Sequence, residues 1–226
     1  MRRVKASMTN SIADFIVDHF QAVEVVKIVA EPIADLWRTL PEDEQQLVAD
    51  AVSPRQQQFA TGRCAARKAI TALGMPPCSI GRDDSRRPIW PQGCVGSISH
   101  TASFAAAAAA SAQAVKGIGI DLEESERVVP ELHRKLFTTW ERERYANDDA
   151  RWTSLLFGAK EAAYKAVNPL VGDYIGFQEV EVDVDWSSHG FTVRYCGQQP
   201  PNKLMDVGFG RFGFFEDHVV SLFVIP

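Results

Sequence analysis

Two short stretches carry the residues whose types and spacing could do chemistry. In Ile118-Gly119-Ile120-Asp121-Leu122-Glu123 an apolar run ends in two carboxylates set two residues apart. Side chains alternate along an extended strand, so Asp121 and Glu123 project from one face while Ile120 and Leu122 pack on the other. Phe157-Gly158-Ala159-Lys160-Glu161-Ala162-Ala163-Tyr164-Lys165-Ala166 reads as helix, which places Glu161 and Lys165 at i, i+4 on one face. Three carboxylates with a lysine nearby suit a hard divalent cation and a phosphate; zinc would favour His and Cys. The same spacing also fits a strand that ends in acids and a solvated helix carrying a Glu/Lys pair.

These residues need elements to hold them. Trp152, Leu155, Leu156, Ala159, Ala163 and Ala166 form the buried stripe of the second stretch, which leaves Glu161 and Lys165 to one side, able to face the acidic strand. Pro169 is expected to stop this helix. Upstream, Pro41-Glu42-Asp43-Glu44 opens a helix that runs to about Ala51, with Pro at the first helical position and acids at the positive end of the dipole. Ser53-Pro54-Arg55-Gln56 predicts a capping box at the start of a longer helix, ended by Gly74 and Pro76. Along that helix Arg55, Phe59, Arg63 and Arg67 recur every four residues and make a ridge, opposite a stripe of Ala66, Ala69, Ile70 and Leu73. Clustered arginines repel one another unless an anion sits among them; a basic face balanced by acids from elsewhere is the alternative.

The remainder reads as strands and turns. Val23 to Val29 is rich in β-branched residues and is closed by Glu31-Pro32. Ser79 to Thr101 combines loop, turn and short strand, with Arg82, Arg86, Arg87 and His100 among its Gly/Pro punctuation. The alanine run 105–110 favours helix by propensity, yet small residues in a strand would let another element approach closely, and strand is the expectation taken here. Thr138 and Glu141 predict a capping box. From Phe177 to Trp186 Val180, Val182 and Val184 point in and acids point out, followed by strands over 191–196, 207–215 and 219–225.

Composition bounds the rest. The chain has 226 residues, 46% of them hydrophobic and 23% charged, as expected for a globular protein with its own core. A net charge of −5 argues against a general nucleic-acid binder, so any polyanion must be met by a local basic cluster. The four cysteines show no metal-ligand spacing, which predicts reduced and mostly buried thiols, with two disulfides as the alternative. Asp14, Asp18 and His19 interrupt the first apolar stretch after Met1-Arg2-Arg3-Val4-Lys5, so the reading is a cytoplasmic protein without a leader or a membrane span.

Taken in order, these strings resemble the 4'-phosphopantetheinyl transferases, which move the phosphopantetheine arm of coenzyme A onto a carrier-protein serine. Gly119-Ile120-Asp121-Leu122-Glu123 is similar to the family's G-I-D-x-E signature and Phe157 to Lys165 to its F-x-x-K-E-x-x-x-K signature. Gly62-Arg63-Cys64-Ala65-Ala66-Arg67, Arg87-Pro88-Ile89-Trp90-Pro91 and Gly96-Ser97-Ile98-Ser99-His100 match further family strings. Gly158 departs from the Ser or Cys of many relatives. The resemblance implies an α+β fold of two similar halves in a pseudo-two-fold arrangement with the active site between them. Residues 1–116 would bind the coenzyme A nucleotide, and residues 117–226 would carry the metal-binding acids and the catalytic helix. It implies Mg2+, or Mn2+ in its place, on Asp121, Glu123 and Glu161. Glu161 would act as base, directly or through a metal-bound water, and Lys165 would stabilise the leaving group. Coenzyme A contacts would come from Arg55, Arg63, Arg82, Arg87, His100, Lys160 and Lys165, with His100 at the 3'-phosphate. The expected partner is an apo acyl, polyketide or peptidyl carrier protein, met by a monomer. A Mg-dependent coenzyme A phosphohydrolase and a non-catalytic coenzyme A binding module are the rival readings.

Overall fold

A computed structural model describes residues 11–20, 23–146, 151–198 and 204–226. The reading of Met1 to Lys5 lies outside these. In chain order the elements are α1 (Ile12–Phe20), β1 (Val26–Pro32), α2 (Glu42–Gln46), α3 (Ser53–Ala72), β2 (Gly81–Arg82), β3 (Pro88–Ile89), β4 (Cys94–His100), β5 (Phe104–Ser111) and β6 (Gly117–Glu124). Then follow α4 (His133–Leu136), α5 (Thr139–Arg144), α6 (Trp152–Val171), β7 (Val180–Asp185), β8 (Gly190–Tyr195), β9 (Phe209–Phe215) and β10 (His218–Ile225). The fold is α+β, with all strand pairs antiparallel.

One sheet has the order β1-β5-β4 and the other β6-β10-β9-β8-β7. Among the described residues β4 and β6 are edge strands of their sheets, and they pack along one another where the sheets meet. Alternation along β5 sends Ala106, Ala108 and Ala110 toward Ile118, Ile120 and Leu122 of β6, whereas Ala107 and Ala109 face Ala65, Ala66, Ala69 and Ile70 of α3. The alanine run is therefore strand: buried on both faces, its small side chains admit a sheet on one side and a helix on the other. Each sheet thus carries one 20-residue helix, α3 or α6. Gly119 allows the second of these contacts, since a Cβ there would overlap the Ala162 carbonyl of α6.

Several boundaries depart from the sequence expectations. α2 stops at Gln46, because Glu44 turns inward to accept from Arg67 and from the Ile80 N–H, and the chain then bends into α3. Ser53 is not an N-cap. Val52 holds that position without a side-chain bond, and the Gln56 amide donates instead to the Val48 and Ala49 carbonyls of the bend. Pro169 lies inside α6, which continues to Val171 and ends at Gly172 with φ 77°. The first strand is displaced to Val26–Pro32, and its Pro32 is tolerated because β1 is an edge strand. α1 was legible from Ile12, Phe15, Ile16 and Phe20, all buried, but its acids masked the pattern. The Thr138/Glu141 capping box is present, and Val180, Val182 and Val184 are buried. All four cysteines are free, with Cys94 buried, Cys64 and Cys78 half-buried and Cys196 exposed, so most are less buried than expected. Among the described residues no helix is long and apolar enough to cross a membrane.

Candidate active site

The acids come together where α6 crosses β6. Asp121 and Glu123 project from the β6 face that α6 covers; both are buried, and Glu161 reaches in from the helix. Lys165, one turn beyond Glu161, places Nζ 2.5 Å from Asp121 Oδ1, 3.2 Å from Ser99 Oγ and 3.3 Å from the Ile120 carbonyl oxygen. Arg127 Nε lies 3.3 Å from Glu123 Oε2 without the alignment of a hydrogen bond. Burial, then the Asp121 charge, pushes the Glu123 carboxyl up to about 7, against the pull of Arg127 and Lys165. Burial likewise raises Glu161, opposed first by Lys165.

These residues fit a divalent cation as a partial shell. Asp121 Oδ2 and Glu123 Oε2 are buried oxygens with no hydrogen bond, and all three side chains are oxygen donors. Among the described residues no group of three His, Cys, Asp or Glu side chains is gathered closely enough to hold a metal ion by itself. A magnesium ion does not need one, because it keeps several waters and takes substrate phosphate oxygens as ligands. Gly158 leaves a notch beside Asp121: a Cβ there would stand 3.4 Å from Oδ2 and 3.3 Å from Ser221 Oγ.

A cavity of about 480 Å3 lies on the other side of β4, lined by Arg55, Phe59, Arg63, Arg82, Arg86 and His100 among others. Arg63 is only 4% exposed; its Nη2 donates to the Gly81 carbonyl at 3.1 Å and its guanidinium lies 4.7 Å from the Phe59 ring centre. Burial lowers Arg63 to about 10, with the charges of Arg67, Arg82 and Arg55 adding to this against Glu44. Burial and then Arg82 lower Arg55. Arg55 donates to His100 Nε2, and burial followed by the Arg55 and Lys165 charges lowers His100 to about 4. His100 is thus neutral near pH 7, and its buried Nδ1 lacks a hydrogen-bond partner. Cations that lower one another around a cavity would be relieved by an anion placed among them.

Two expected contacts, Lys160 and Arg87, and the last arginine of the α3 ridge are used elsewhere. Lys160 is 3% exposed, and its three donors go to Leu136 O at 2.9 Å, Glu141 Oε2 at 2.7 Å and Phe177 O at 2.8 Å, leaving none for a phosphate. Arg67 is held by both oxygens of Glu44. Arg87 Nε binds Asp83 Oδ2 at 2.8 Å and its Nη1 reaches Asn168 Oδ1 at 3.3 Å, so it ties the β2–β3 turn to α6 instead of lining the arginine cavity. Arg86, with a φ of 65°, lines that cavity in its stead. Ser99, Arg127 and Arg86 were missed as site residues; Ser99 alone had a signal, its place in the matched string before His100.

Comparison with known proteins bears directly on this arrangement. The 4'-phosphopantetheinyl transferase N-terminal domain model matches residues 43–110, and the 4'-phosphopantetheinyl transferase superfamily model matches residues 117–222. The chain belongs to the 4'-phosphopantetheinyl transferase family. It is 36% identical over 162 residues to the 4'-phosphopantetheinyl transferase PptT of Mycobacterium tuberculosis, covering 70% of this chain and 71% of that one. With the 4'-phosphopantetheinyl transferase Svp of Streptomyces mobaraensis it shares 35% identity over 190 residues, 81% of this chain and 77% of the relative. Among solved structures, the holo-acyl-carrier-protein synthase of Thermotoga maritima is similar at 20% identity and a TM-score of 0.39, over 50% of this chain and 64% of that one.

Proposed function

We propose that this 4'-phosphopantetheinyl transferase moves the phosphopantetheine arm of coenzyme A to a serine hydroxyl of an apo acyl, polyketide or peptidyl carrier protein, working as a cytoplasmic monomer. The observation that supports the reading is that adjacent residues of β4 join the two groups: Ser99 contacts Asp121 of the acids, and His100 contacts Arg55 and lines the arginine cavity. Residues 1–116 are the nucleotide half and residues 117–226 the catalytic half. Arg55, Arg63, Arg82 and Arg86 surround the nucleotide phosphates, and His100 offers Nδ1–H to the 3'-phosphate. Asp121, Glu123 and Glu161 would hold Mg2+, or Mn2+ in its place. Such an ion, when bound, neutralises charge on the pyrophosphate oxygens.

The carrier serine supplies the nucleophile, so the chain must take its proton and steady the leaving group. Glu161, whose carboxyl burial makes more basic than usual, is suited to accept that proton. The serine oxygen then bonds the phosphorus that bears pantetheine, the anhydride bond breaks, and its electron pair leaves on adenosine 3',5'-bisphosphate. Lys165 can turn its 3.3 Å contact with the Ile120 carbonyl toward a phosphate oxygen while its 2.5 Å contact holds Asp121. A coenzyme A phosphohydrolase or a non-catalytic coenzyme A binding module is not favoured by the family assignment. Mass spectrometry of apo carrier proteins incubated with the chain, coenzyme A and Mg2+ tests the proposal. The expected result is a gain of one phosphopantetheine arm on serine that chelator abolishes. Release of free phosphopantetheine with no carrier adduct would favour the hydrolase.

A further inference from the structure

β4 ends on two polar side chains that point opposite ways. His100 turns to Arg55 and the arginine cavity, whereas Ser99, 7% exposed, turns into the gap between β4 and β6. The Ser99 hydroxyl donates to Asp121 Oδ1 at 2.9 Å and accepts from the Leu122 N–H at 3.2 Å and from Lys165 Nζ at 3.2 Å. One donor and two acceptor sites are all that a serine hydroxyl has, so it is saturated.

The consequence falls on Asp121. The terminal torsion of an aspartate is broad and nearly two-fold, so strand geometry alone leaves the rotation of this carboxylate open. Ser99 and Lys165 both bind Oδ1, which fixes the plane and leaves Oδ2, buried and without a hydrogen bond, directed toward the notch at Gly158 on the α6 face that also carries Glu161. A purely structural serine would need only the Leu122 contact, which satisfies the unpaired edge of β6. The other two contacts lie inside the acid group, and they join β4 to β6 and α6.

We propose that Ser99 is a positioning residue for transfer: its hydroxyl sets the rotation of the Asp121 carboxylate so that Oδ2 is presented to the divalent ion. This rests on the reading of Asp121 as a metal ligand given above. Partners that orient a ligand from behind typically change metal affinity 10- to 100-fold when removed. The test is Mn2+ binding, followed by electron paramagnetic resonance with coenzyme A present, for wild type, Ser99→Ala and Ser99→Thr, each checked for a wild-type circular dichroism spectrum. Ser99→Ala is expected to weaken Mn2+ by about 10- to 100-fold, and to raise the Mg2+ concentration needed for half-maximal transfer while the coenzyme A affinity holds. Ser99→Thr keeps the hydroxyl on a strand that accepts β-branched residues, and is expected to recover most of the affinity. Wild-type Mn2+ affinity in Ser99→Ala overturns the inference, as does equal loss in Ala and Thr, which would point to packing and not to the hydroxyl. Absence of Mn2+ binding in the wild-type arm would instead sink the metal-ligand reading itself, and the inference with it.

Discussion

Lys160 separates a phosphate contact from a folding contact, and Lys160→Met decides between them. Its ammonium and the Glu141 carboxylate are 2% and 0% exposed and 2.7 Å apart. Methionine keeps the length but leaves the Glu141 charge buried, together with the carbonyls of Leu136 and Phe177 that the ammonium had bound. Breaking a buried pair by removing one partner costs about 3–5 kcal/mol. At roughly 2–4 °C per kcal/mol for a chain of this size, the midpoint of unfolding should fall by roughly 6–20 °C. Burial is the largest influence on both groups, raising Glu141 and lowering Lys160, so the pair positions the α4–α5 segment and the start of β7 more than it adds net stability. The double variant Lys160→Met with Glu141→Gln, which carries no buried charge, should recover only part of the loss, because the two carbonyls stay unpaired and the amide, whose NH2 is no acceptor, cannot accept from both the Thr138 and Val182 N–H groups that the carboxylate oxygens bind. Urea and thermal unfolding give the stabilities, and calorimetric titration with coenzyme A, run well below the lowered midpoint, gives the affinities. An unchanged midpoint with a large loss of coenzyme A affinity would refute the structural assignment and return Lys160 to the phosphates.

Arg55 is exposed and Arg63 buried, so their alanine variants should differ: Arg55→Ala should weaken coenzyme A by about tenfold to a hundredfold more than dephospho-coenzyme A at unchanged stability, as for a charge-assisted bond of about 1.5–3 kcal/mol, while Arg63→Ala should also lower the unfolding midpoint. Equal losses for both ligands in Arg55→Ala would show that Arg55 does not reach the 3'-phosphate beside His100. The pH dependence of metal-free stability has two opposed parts. Glu123, raised from 4.5 to about 7, keeps a proton that the unfolded chain releases, so its contribution is full below pH 4.5 and is lost as pH rises to 7. His100, lowered from 6.5 to about 4, contributes above pH 6.5 and loses that as pH falls to 4. Urea midpoints of Glu123→Gln should therefore rise more steeply than wild type between pH 4 and 6.5, and those of His100→Gln should fall more steeply between pH 4.5 and 7; curves parallel to wild type would contradict both assignments.

The local patterns that read correctly were those whose period belongs to a single element. Asp121 and Glu123 share a face because strands alternate, and the Leu155, Leu156, Ala159 and Ala163 stripe fixes which side of α6 is buried. The reading failed where a partner came from elsewhere. The ridge of Arg55, Phe59, Arg63 and Arg67 was visible, but Glu44, from an earlier helix, takes Arg67. The Ser53 cap signal was outcompeted by the bend after α2, whose carbonyls draw the Gln56 amide away.

Alone, the sequence determined which side chains could meet a divalent ion and a phosphorylated nucleotide, and on which face of its own strand or helix each one lies, because that depends only on backbone period. Tertiary structure decided which of those charges stay available. Lys160 sits one residue from Glu161, yet the fold turns it into a buried pair with Glu141, while Ser99, a small polar residue in a strand, is brought against Asp121 from 22 positions away. A charge pattern along the chain carries no information about partners that only folding brings within hydrogen-bond distance, and those partners separate the structural cations from the ones that remain at the site.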